Sequence, residues 1–257
     1  MATRKDVDIA RVEARARTRL GRAVAALPAR WFHATLEGGE RIPRAGAALL
    51  VGNHAFMGLD GVVLGTLVLR ETDRVVRFLG ERNLWRVPGL AQLLTSVGAI
   101  PGVPDDAVDL LRAGHLVAVY PGGVDDSFKL ATEKYRLRWG SRAGFARVAM
   151  RAGVPILPVA ALGIDDMFTV VGRERWLGRR LFRGARYDLP LAYGALGMPV
   201  PRRVPQRYVV LPPVDTGGDP ANDGDVERVR AATHDAIDAV LATARQTLAS
   251  GTSAQGS

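Results

Sequence analysis

The chain has 257 residues, of which 47% are hydrophobic and 24% charged, so it is long enough for a substantial core and too apolar to be disordered. It contains no cysteine, which excludes disulfide frameworks, thiolate metal sites and a cysteine nucleophile. The formal net charge of +9 predicts attraction to an anionic partner, and nucleic acid, an anionic membrane surface and a phosphorylated substrate are the alternatives.

The first residues lack the apolar core of a signal peptide, and no stretch reaches the roughly 18 apolar residues of a membrane span. We therefore expect an intracellular protein. Residues 6–27 form the first predicted helix, because good helix formers continue without a proline until Pro28, which we expect to end it. The helix is basic and amphipathic, so it lies either in a membrane interface or against its own domain.

The rest of the chain alternates apolar strands with amphipathic helices. Strands are predicted at 35–37 (an edge strand), 47–51, 74–79, 116–120, 154–161 and 206–211, with a short strand or turn at 98–102. Helices are predicted at 62–69, 88–97, 104–114, 141–153 and 225–249. This cadence favours parallel strands joined by right-handed crossovers. The predicted fold class is α/β, a single domain with a mostly parallel central sheet flanked by helices.

Four segments divide the chain. We expect an N-terminal basic helix within 1–30, the α/β core at 31–215, a C-terminal helix at 216–250 and a disordered tail at 251–257. Residues 167–205 are predicted to be irregular apart from a short helix near 176–182, because this stretch is rich in Arg, Gly and Pro.

A histidine follows the first buried strand. His54 stands just past its carboxyl end, where open α/β sheets place their chemistry, and Asp60 comes six positions later. Imidazole takes and returns protons near neutral pH, and a carboxylate on its far nitrogen fixes the tautomer. The two side chains meet only if the residues between them form a loop and Asp60 opens the next helix. The alternatives are a structural histidine and an aspartate that only favours the helix N-terminus.

A second motif ends the strand at 116–120. Tyr120, Pro121, Gly122 and Gly123 form either an ordinary tight turn or a nest of N–H groups for an oxyanion or phosphate. A basic run follows, which is either a phosphate cradle or a solvated face. Its members are Lys129, Lys134, Arg136, Arg138 and Arg142.

The sequence lacks the motifs that are typical of several enzyme classes. The sequence contains no Gly-x-Ser-x-Gly elbow, no Walker loop and no Gly-x-Gly-x-x-Gly. The four histidines have no metal-ligand spacing, so neither a metal nor a cofactor is expected. Aromatic residues, at 6%, do not interleave with the basic run, which disfavours a nucleic-acid partner.

Four blocks in this order resemble the glycerolipid acyltransferase superfamily. They are VGNH at 51–54 through Asp60, GAIP at 98–101, VYPGG at 119–123 and VPILP at 154–158. The YPGG sequence, with RAGF at 142–145 before GVPI at 153–156, is most similar to the diacylglycerol/monoacylglycerol acyltransferase branch and related bacterial proteins.

The resemblance implies an O-acyltransferase that uses acyl-CoA or an acyl-carrier protein as donor and a glycerolipid or lysophospholipid hydroxyl as acceptor. It implies that His54 is the general base and that Asp60 orients it. Tyr120, Pro121, Gly122 and Gly123 would shape the acceptor site. The predicted substrate-binding set is completed by Asn53, Lys129, Arg138 and Arg142. No cofactor beyond the acyl thioester is implied, and the expected location is the cytoplasm, peripherally on the inner face of the membrane.

Two positions depart from the family pattern. His54 and Asp60 are separated by five residues instead of four. The usual arginine after Gly-x-Ile and the glutamate of Phe-Pro-Glu-Gly are replaced by Pro101-Gly102-Val103 and by Gly122. The loss of that arginine favours a neutral or bulky lipid hydroxyl over a small phosphorylated acceptor, with substitution by Arg136, Arg138 or Arg142 as the alternative. A catalytically inactive homologue that binds acyl chains or anionic membrane and a thioesterase stay open as alternatives, and a basic nucleic-acid binder ranks last.

Overall fold

The computed structural model describes residues 4–86, 89–174 and 189–253, with side chains over 11–86, 89–172 and 190–248. The strands are β1 (Thr35–Glu37), β2 (Ala48–Gly52), β3 (Val76–Gly80), β4 (Ala99–Pro101), β5 (Leu116–Val119), β6 (Ile156–Leu162), β7 (Thr169–Glu174), β8 (Leu189–Tyr193) and β9 (Arg207–Val210). The described helices are α1 (Arg4–Arg17), α2 (Arg19–Trp31), α3 (Leu59–Thr72), α4 (Leu90–Ser96), α5 (Pro104–Arg112), α6 (Gly123–Ser127), α7 (Gly144–Ala152) and α8 (Asp223–Ser253).

Seven strands form the central sheet, in the order β1-β9-β6-β2-β5-β3-β4. Strands β6, β2, β5, β3 and β4 are mutually parallel, and β9 joins β6 in the antiparallel sense. The predicted class, a single α/β domain with a mostly parallel sheet, is confirmed. Strand β1 lies at the sheet edge, as predicted.

Helices cover both faces of the sheet because neighbouring residues of a strand point to opposite faces. Leu50 packs with α3 residues such as Val63 and Leu67 on one side. Leu49 packs with Leu111 of α5 and residues of α7 and α8 on the other. Strand β2 is buried along its whole length, which explains why its sequence is continuously apolar.

The N-terminal helix differs from the prediction. It is two helices, because the hydroxyl of Thr18 accepts the N–H of Gly21 at 2.9 Å and caps the start of α2. The prediction that Pro28 ends the helix is wrong, since Pro28 lies inside α2. The proline removes one donor to the carbonyl of Val24, which lies on the exposed side of the helix where water replaces that donor.

The prediction of an irregular segment at 167–205 is also wrong. Strands β7 and β8 pair there as an antiparallel hairpin with an irregularity between Val170 and Gly172. The β-branched residues of β7 and the apolar and aromatic residues of β8 favour this pairing over a coil. The predicted short helix at 176–182 lies outside the described residues.

The last helix is longer than predicted. Helix α8 continues through 251–253, which were expected to belong to a disordered tail, and 254–257 lie outside the described residues. Among the helices that the structure describes, none combines the length and the apolar character needed to cross a bilayer.

Candidate active site

The candidate site lies where the carboxyl ends of β6, β2 and β5 meet. These three strands are neighbours and run parallel, so the loops that follow them share one edge of the sheet. His54 follows β2, Tyr120 follows β5, and Asp165 comes shortly after β6. Residues far apart in the chain are thus brought to one crevice.

His54 and Asp60 form a hydrogen-bonded dyad. The Nδ1 atom of His54 lies 2.9 Å from Oδ2 of Asp60, whose carboxylate is buried in the first turn of α3. The carboxylate makes Nδ1 the protonated nitrogen, which leaves the lone pair on Nε2. The His54 side chain remains 19% exposed, so a reactant can reach it.

The five residues between the dyad partners form a loop with two left-handed positions. Met57 has φ +67° and Gly58 has φ +68°, and these turns bring Asp60 back to His54 within a short segment. Alanine or a larger residue at position 58 would place its Cβ 3.6 Å from Cε1 of His54. The additional residue relative to the family spacing is therefore absorbed in the loop without separating the two groups.

Electrostatics favour the protonated form of His54. Burial lowers the pKa of His54 and the Lys129 charge adds to that effect, but Asp60 and Asp126 raise it more, so its pKa lies above the usual 6.5. An imidazole with this pKa is a stronger base than a free histidine once it is neutral.

The ring of His54 is also held from the side. It stacks on the ring of Tyr120, with centroids 4.3 Å apart and planes 10° from parallel. The Tyr120 hydroxyl is buried, and burial together with the Asp60 charge raises its pKa well above 10. Tyr120 therefore stays neutral and positions the imidazole by its face.

Asp126 is a buried residue that the sequence reasoning missed. Its Oδ2 accepts the backbone N–H of His54 at 2.9 Å, and its Oδ1 accepts that of Arg138 at 3.2 Å. Burial raises the pKa of Asp126, and the Asp165 charge adds to this, against the opposing charge of Lys129. A signal was present in the sequence, since two acidic residues, Asp125 and Asp126, stand two and three positions after Gly123.

Lys129 lies between two buried carboxylates. Its Nζ is 3.4 Å from Oδ1 of Asp126 and 3.1 Å from Oδ2 of Asp165, and its side chain is 3% exposed. Burial lowers the pKa of Lys129, but the two carboxylates raise it more, so the pKa lies above 10.5. The ammonium group therefore neutralises this network beneath His54 and does not face the crevice.

Packing explains why the turn after β5 contains glycine. A Cβ on Gly122 would lie 2.3 Å from Cβ of Asp126, so only glycine lets α6 bring that carboxylate under the backbone of His54. Gly123 has φ +50° with open space around it, and its N–H donates to the carbonyl of Tyr120 at 2.9 Å. That N–H therefore closes the turn. Pro121 is buried.

The remaining predicted substrate-binding residues have protein partners. The amide of Asn53 donates to the carbonyl of Ala161 at 2.9 Å and accepts its N–H at 2.8 Å, which extends the pairing of β2 with β6. Arg138 pairs with Glu133, and Arg142 pairs with Asp125. Both arginines stay partly exposed, whereas Asn53 is fully buried.

A small cavity adjoins the dyad loop. It is about 20 Å³, room for about one water molecule, and it is lined by Phe56, Ser127, Lys129 and Phe168 among others. An acyl chain does not fit into a cavity of this volume. Among the described residues, no group of three or more His, Asp or Glu side chains is placed to hold a metal ion.

The fold and the site define an α/β protein whose mostly parallel sheet carries a hydrogen-bonded histidine–aspartate pair at its carboxyl edge. Comparison with known proteins gives the family. Residues 33–162, about half of the chain, match the family model described as Acyltransferase. The chain therefore belongs to the acyltransferase family.

Two relatives are similar to this chain over most of its length. The chain is 34% identical over 173 residues to the human "DGAT1/2-independent enzyme synthesizing storage lipids", covering 67% of this chain and 52% of that protein. It is 32% identical over 225 residues to an uncharacterised Mycobacterium tuberculosis (strain ATCC 25618 / H37Rv) protein, covering 85% of this chain and 61% of that protein. The chain spans about half the length of the mammalian relatives that it matches.

The fold is similar to that of the 1-acyl-sn-glycerophosphate (LPA) acyltransferase PlsC from Thermotoga maritima. The TM-score is 0.51 at 16% sequence identity, and the match covers 93% of this chain and 83% of that chain. At 16% identity, this structural similarity supports the assignment of the fold and nothing beyond it.

Proposed function

We propose that this chain transfers a fatty acyl group from an acyl thioester to a lipid hydroxyl, with His54 as general base. The observation that carries the proposal is the 2.9 Å contact between Nδ1 of His54 and Oδ2 of Asp60 at the carboxyl edge of β2. It leaves Nε2 free to act on a hydroxyl, and membership of the acyltransferase family supports acyl transfer as the reaction.

The proposed reaction needs no covalent enzyme intermediate. Nε2 of His54 takes the proton of the acceptor hydroxyl while the hydroxyl oxygen attacks the thioester carbonyl carbon. The C–S bond then breaks, and the departing thiolate takes the proton back from the imidazolium. The products are an oxygen ester and a free thiol. Asp60 stabilises the imidazolium between these two steps.

The acceptor that we propose is a neutral glycerolipid hydroxyl. Arg138 and Arg142, the two arginines of the predicted substrate-binding set, already pair with Glu133 and Asp125. A phosphorylated acceptor would have to compete with these carboxylates for the guanidinium groups. The name of the human relative, which refers to storage lipids, is in line with a neutral acceptor.

Within the proposal, the predicted site residues take different roles. Tyr120, Pro121, Gly122 and Gly123 shape the crevice, and Arg138 and Arg142 border it. Asn53 and Lys129 hold the supporting framework, since both are buried and bonded within the protein. The acyl donor is a CoA or carrier-protein thioester, and contact with a membrane surface brings the lipid acceptor to the site.

The test is transfer of a labelled acyl group from acyl-CoA to monoacylglycerol, diacylglycerol and lysophosphatidate, compared between wild type and His54→Ala. We expect a labelled neutral glycerolipid, and a rate on the order of 10² to 10⁴-fold lower in the variant. His234→Gln is the matched control, because His234 also contacts an aspartate, Asp235 at 3.1 Å, but lies on α8.

Two results would contradict the proposal. Full transfer activity in His54→Ala would exclude His54 as the base. Release of free fatty acid with every acceptor, and no acylated lipid, would identify a thioesterase instead. Thermal unfolding of both variants establishes that activity is compared between folded proteins.

A further inference from the structure

An exposed apolar tip lies between β8 and β9. Residues 196–200, with the sequence LGMPV, are all exposed. Leu196 is 97% exposed, Met198 55% and Val200 43%. Large apolar side chains grouped on one projection of a soluble surface mark a site of interaction with a protein or a membrane.

The 196–200 tip is held in this position by its own backbone. Gly194 N donates to the carbonyl of Met198, and Ala195 N donates to that of Val200, each at 2.7 Å. Leu196 has φ +54°, a left-handed conformation that costs a leucine about 1–2 kcal/mol. A Cβ on Gly194 would lie 1.8 Å from the carbonyl oxygen of Val200, so a glycine is required for this closure. The exposure of Leu196 is therefore a built feature of the turn.

Arginines and aromatic rings border the tip. The guanidinium of Arg202 lies 5.3 Å from the ring centroid of Tyr193, and that of Arg203 lies 5.7 Å from the ring of Trp31. Among the described residues, neither guanidinium pairs with a carboxylate, so both keep their positive charge available. An apolar tip edged by Trp, Tyr and Arg has the composition of a membrane-interface contact.

The tip is connected to the dyad loop through two aromatic residues. The Cβ position of Gly194 is 3.2 Å from the Phe168 ring, and that ring contacts Phe56 edge-on with centroids 5.1 Å apart. Phe56 belongs to the loop between His54 and Asp60. The tip therefore stands beside the candidate active site.

We propose that the 196–200 tip inserts into the surface of an anionic lipid bilayer, with Leu196 among the acyl chains and Arg202 and Arg203 at the headgroups. The arginine border and the net charge of +9 favour this occupant over an apolar protein groove or a second copy of the chain. The inference rests on the membrane contact in the proposed function and identifies the segment that makes it. It requires no acyl transfer.

The test uses the full chain and vesicles of phosphatidylcholine with phosphatidylglycerol, without acyl donor. Leu196→Glu should reduce binding about tenfold, because the transfer of a leucine side chain out of water is lost. Leu93→Glu is the matched control: Leu93 is 61% exposed on α4, which packs on β4 at the opposite edge of the sheet. Its binding should change less than about twofold.

A second measurement locates the insertion directly. Because the chain has no cysteine, Leu196→Cys and Leu93→Cys each accept one environment-sensitive fluorophore. Anionic vesicles should blue-shift the label at 196 and leave the label at 93 unchanged. Acyl transfer to a detergent-dispersed acceptor should be equal in Leu196→Glu and wild type, which separates failure of the tip from failure of the proposed reaction.

Three outcomes would overturn the inference. One is wild-type vesicle binding by Leu196→Glu. Another is the absence of a blue shift at position 196 while the protein is bound to vesicles. The third is a blue shift at 196 that depends on protein concentration and needs no lipid, which would assign the tip to contact between copies of the chain.

Discussion

At the scale of single residues, the site is a set of buried charges arranged around one histidine. Asp60 holds Nδ1 of His54, and Asp126 holds its backbone N–H. Lys129 and Asp165 complete the network below them. The two carboxylates that contact His54 act on both its position and its basicity.

Asp60→Asn tests how the dyad sets the pH dependence. The base works as neutral imidazole, so kcat/KM rises with pH through the pKa of His54, which lies above 6.5. Without the Asp60 charge the pKa of His54 falls. The rise of kcat/KM with pH should therefore occur at lower pH than in the wild type. The value of kcat/KM at high pH should fall on the order of 10² to 10⁴-fold, because the amide that replaces the Asp60 carboxylate favours the wrong tautomer of the His54 imidazole.

Asp126→Asn supplies the comparison. Asp126 also raises the pKa of His54, but by less than Asp60 does. In Asp126→Asn the rise of kcat/KM with pH should therefore shift to lower pH by a smaller amount. An unchanged pH profile in both variants would exclude His54 as the titrating base.

Lys129→Met tests the buried charge network. The substitution leaves Asp126 and Asp165 buried without their counter-ion, so the free energy of unfolding should fall by about 3–5 kcal/mol. The Lys129 charge holds down the pKa of Asp126, which burial raises, so removal of the ammonium raises the folded-state pKa of Asp126 further. The loss of stability should therefore grow as the pH rises and the carboxylates are forced to ionise.

Lys134→Met is the matched variant for urea unfolding. Lys134 pairs with Asp166 at 2.7 Å, but its side chain is 23% exposed, so its loss should cost less than about 1 kcal/mol. Equal destabilisation by the two substitutions would contradict the role assigned to Lys129.

At the scale of elements, the loop from β2 to α3 determines the dyad geometry. It leaves a fully buried strand, turns at Met57 and Gly58 with positive φ, and starts α3 immediately afterwards. The carboxylate of Asp60 lies in the first turn of α3, where the helix dipole favours a negative charge. The aspartate thus serves the helix and the histidine together.

Gly58→Ala tests this loop. Alanine at φ +68° should destabilise the fold by about 1–2 kcal/mol, and its Cβ would stand 3.6 Å from Cε1 of His54, beside Nε2. We expect kcat/KM to fall about tenfold, which corresponds to about 1.4 kcal/mol of transition-state stabilisation.

Gly46→Ala separates the two effects. Gly46 has φ +82° with no atom near its Cβ position, so it carries the same backbone penalty without a contact to the histidine. Its unfolding free energy should fall by a similar amount while its activity stays at the wild-type level. Equal losses of activity in the two variants would show that backbone strain alone is responsible.

At the scale of the whole molecule, net charge and surface shape act together. The charge of +9 attracts the chain to an anionic surface over a distance that salt limits to roughly one Debye length, about 10 Å at 0.1 M. The 196–200 tip contributes an apolar contact that salt does not screen. The two contributions are therefore separable by ionic strength.

Binding of the wild-type chain to phosphatidylglycerol-containing vesicles should fall at least several-fold when NaCl rises from about 0.05 M to about 0.5 M. Binding to pure phosphatidylcholine vesicles should be weaker and change little over the same range. Sedimentation of the protein with each vesicle type measures both. Salt-independent binding to the anionic vesicles would contradict an electrostatic contribution.

The sequence predicted most of the regular elements because their patterns are local. The apolar runs of β2, β5 and β6 and the glycine after α7 carry their signals within a few residues. The predictions failed at Pro28 and in the β7–β8 hairpin. Exposure of one helix face in the first case, and pairing with a distant strand in the second, outweighed the local preference.

What the sequence by itself determined is the α/β alternation, the family resemblance and the naming of His54 and Asp60 as candidates, since these depend on patterns along the chain. Only the tertiary structure decided that Asp126 holds His54, that Lys129 is buried and that Asn53 bonds to β6. The physical reason is that burial and charge pairing depend on which loops the parallel strands bring to one edge. Residues 72 and 108 positions apart meet there by sheet order and not by spacing in the sequence: His54 with Asp126, and Asn53 with Ala161.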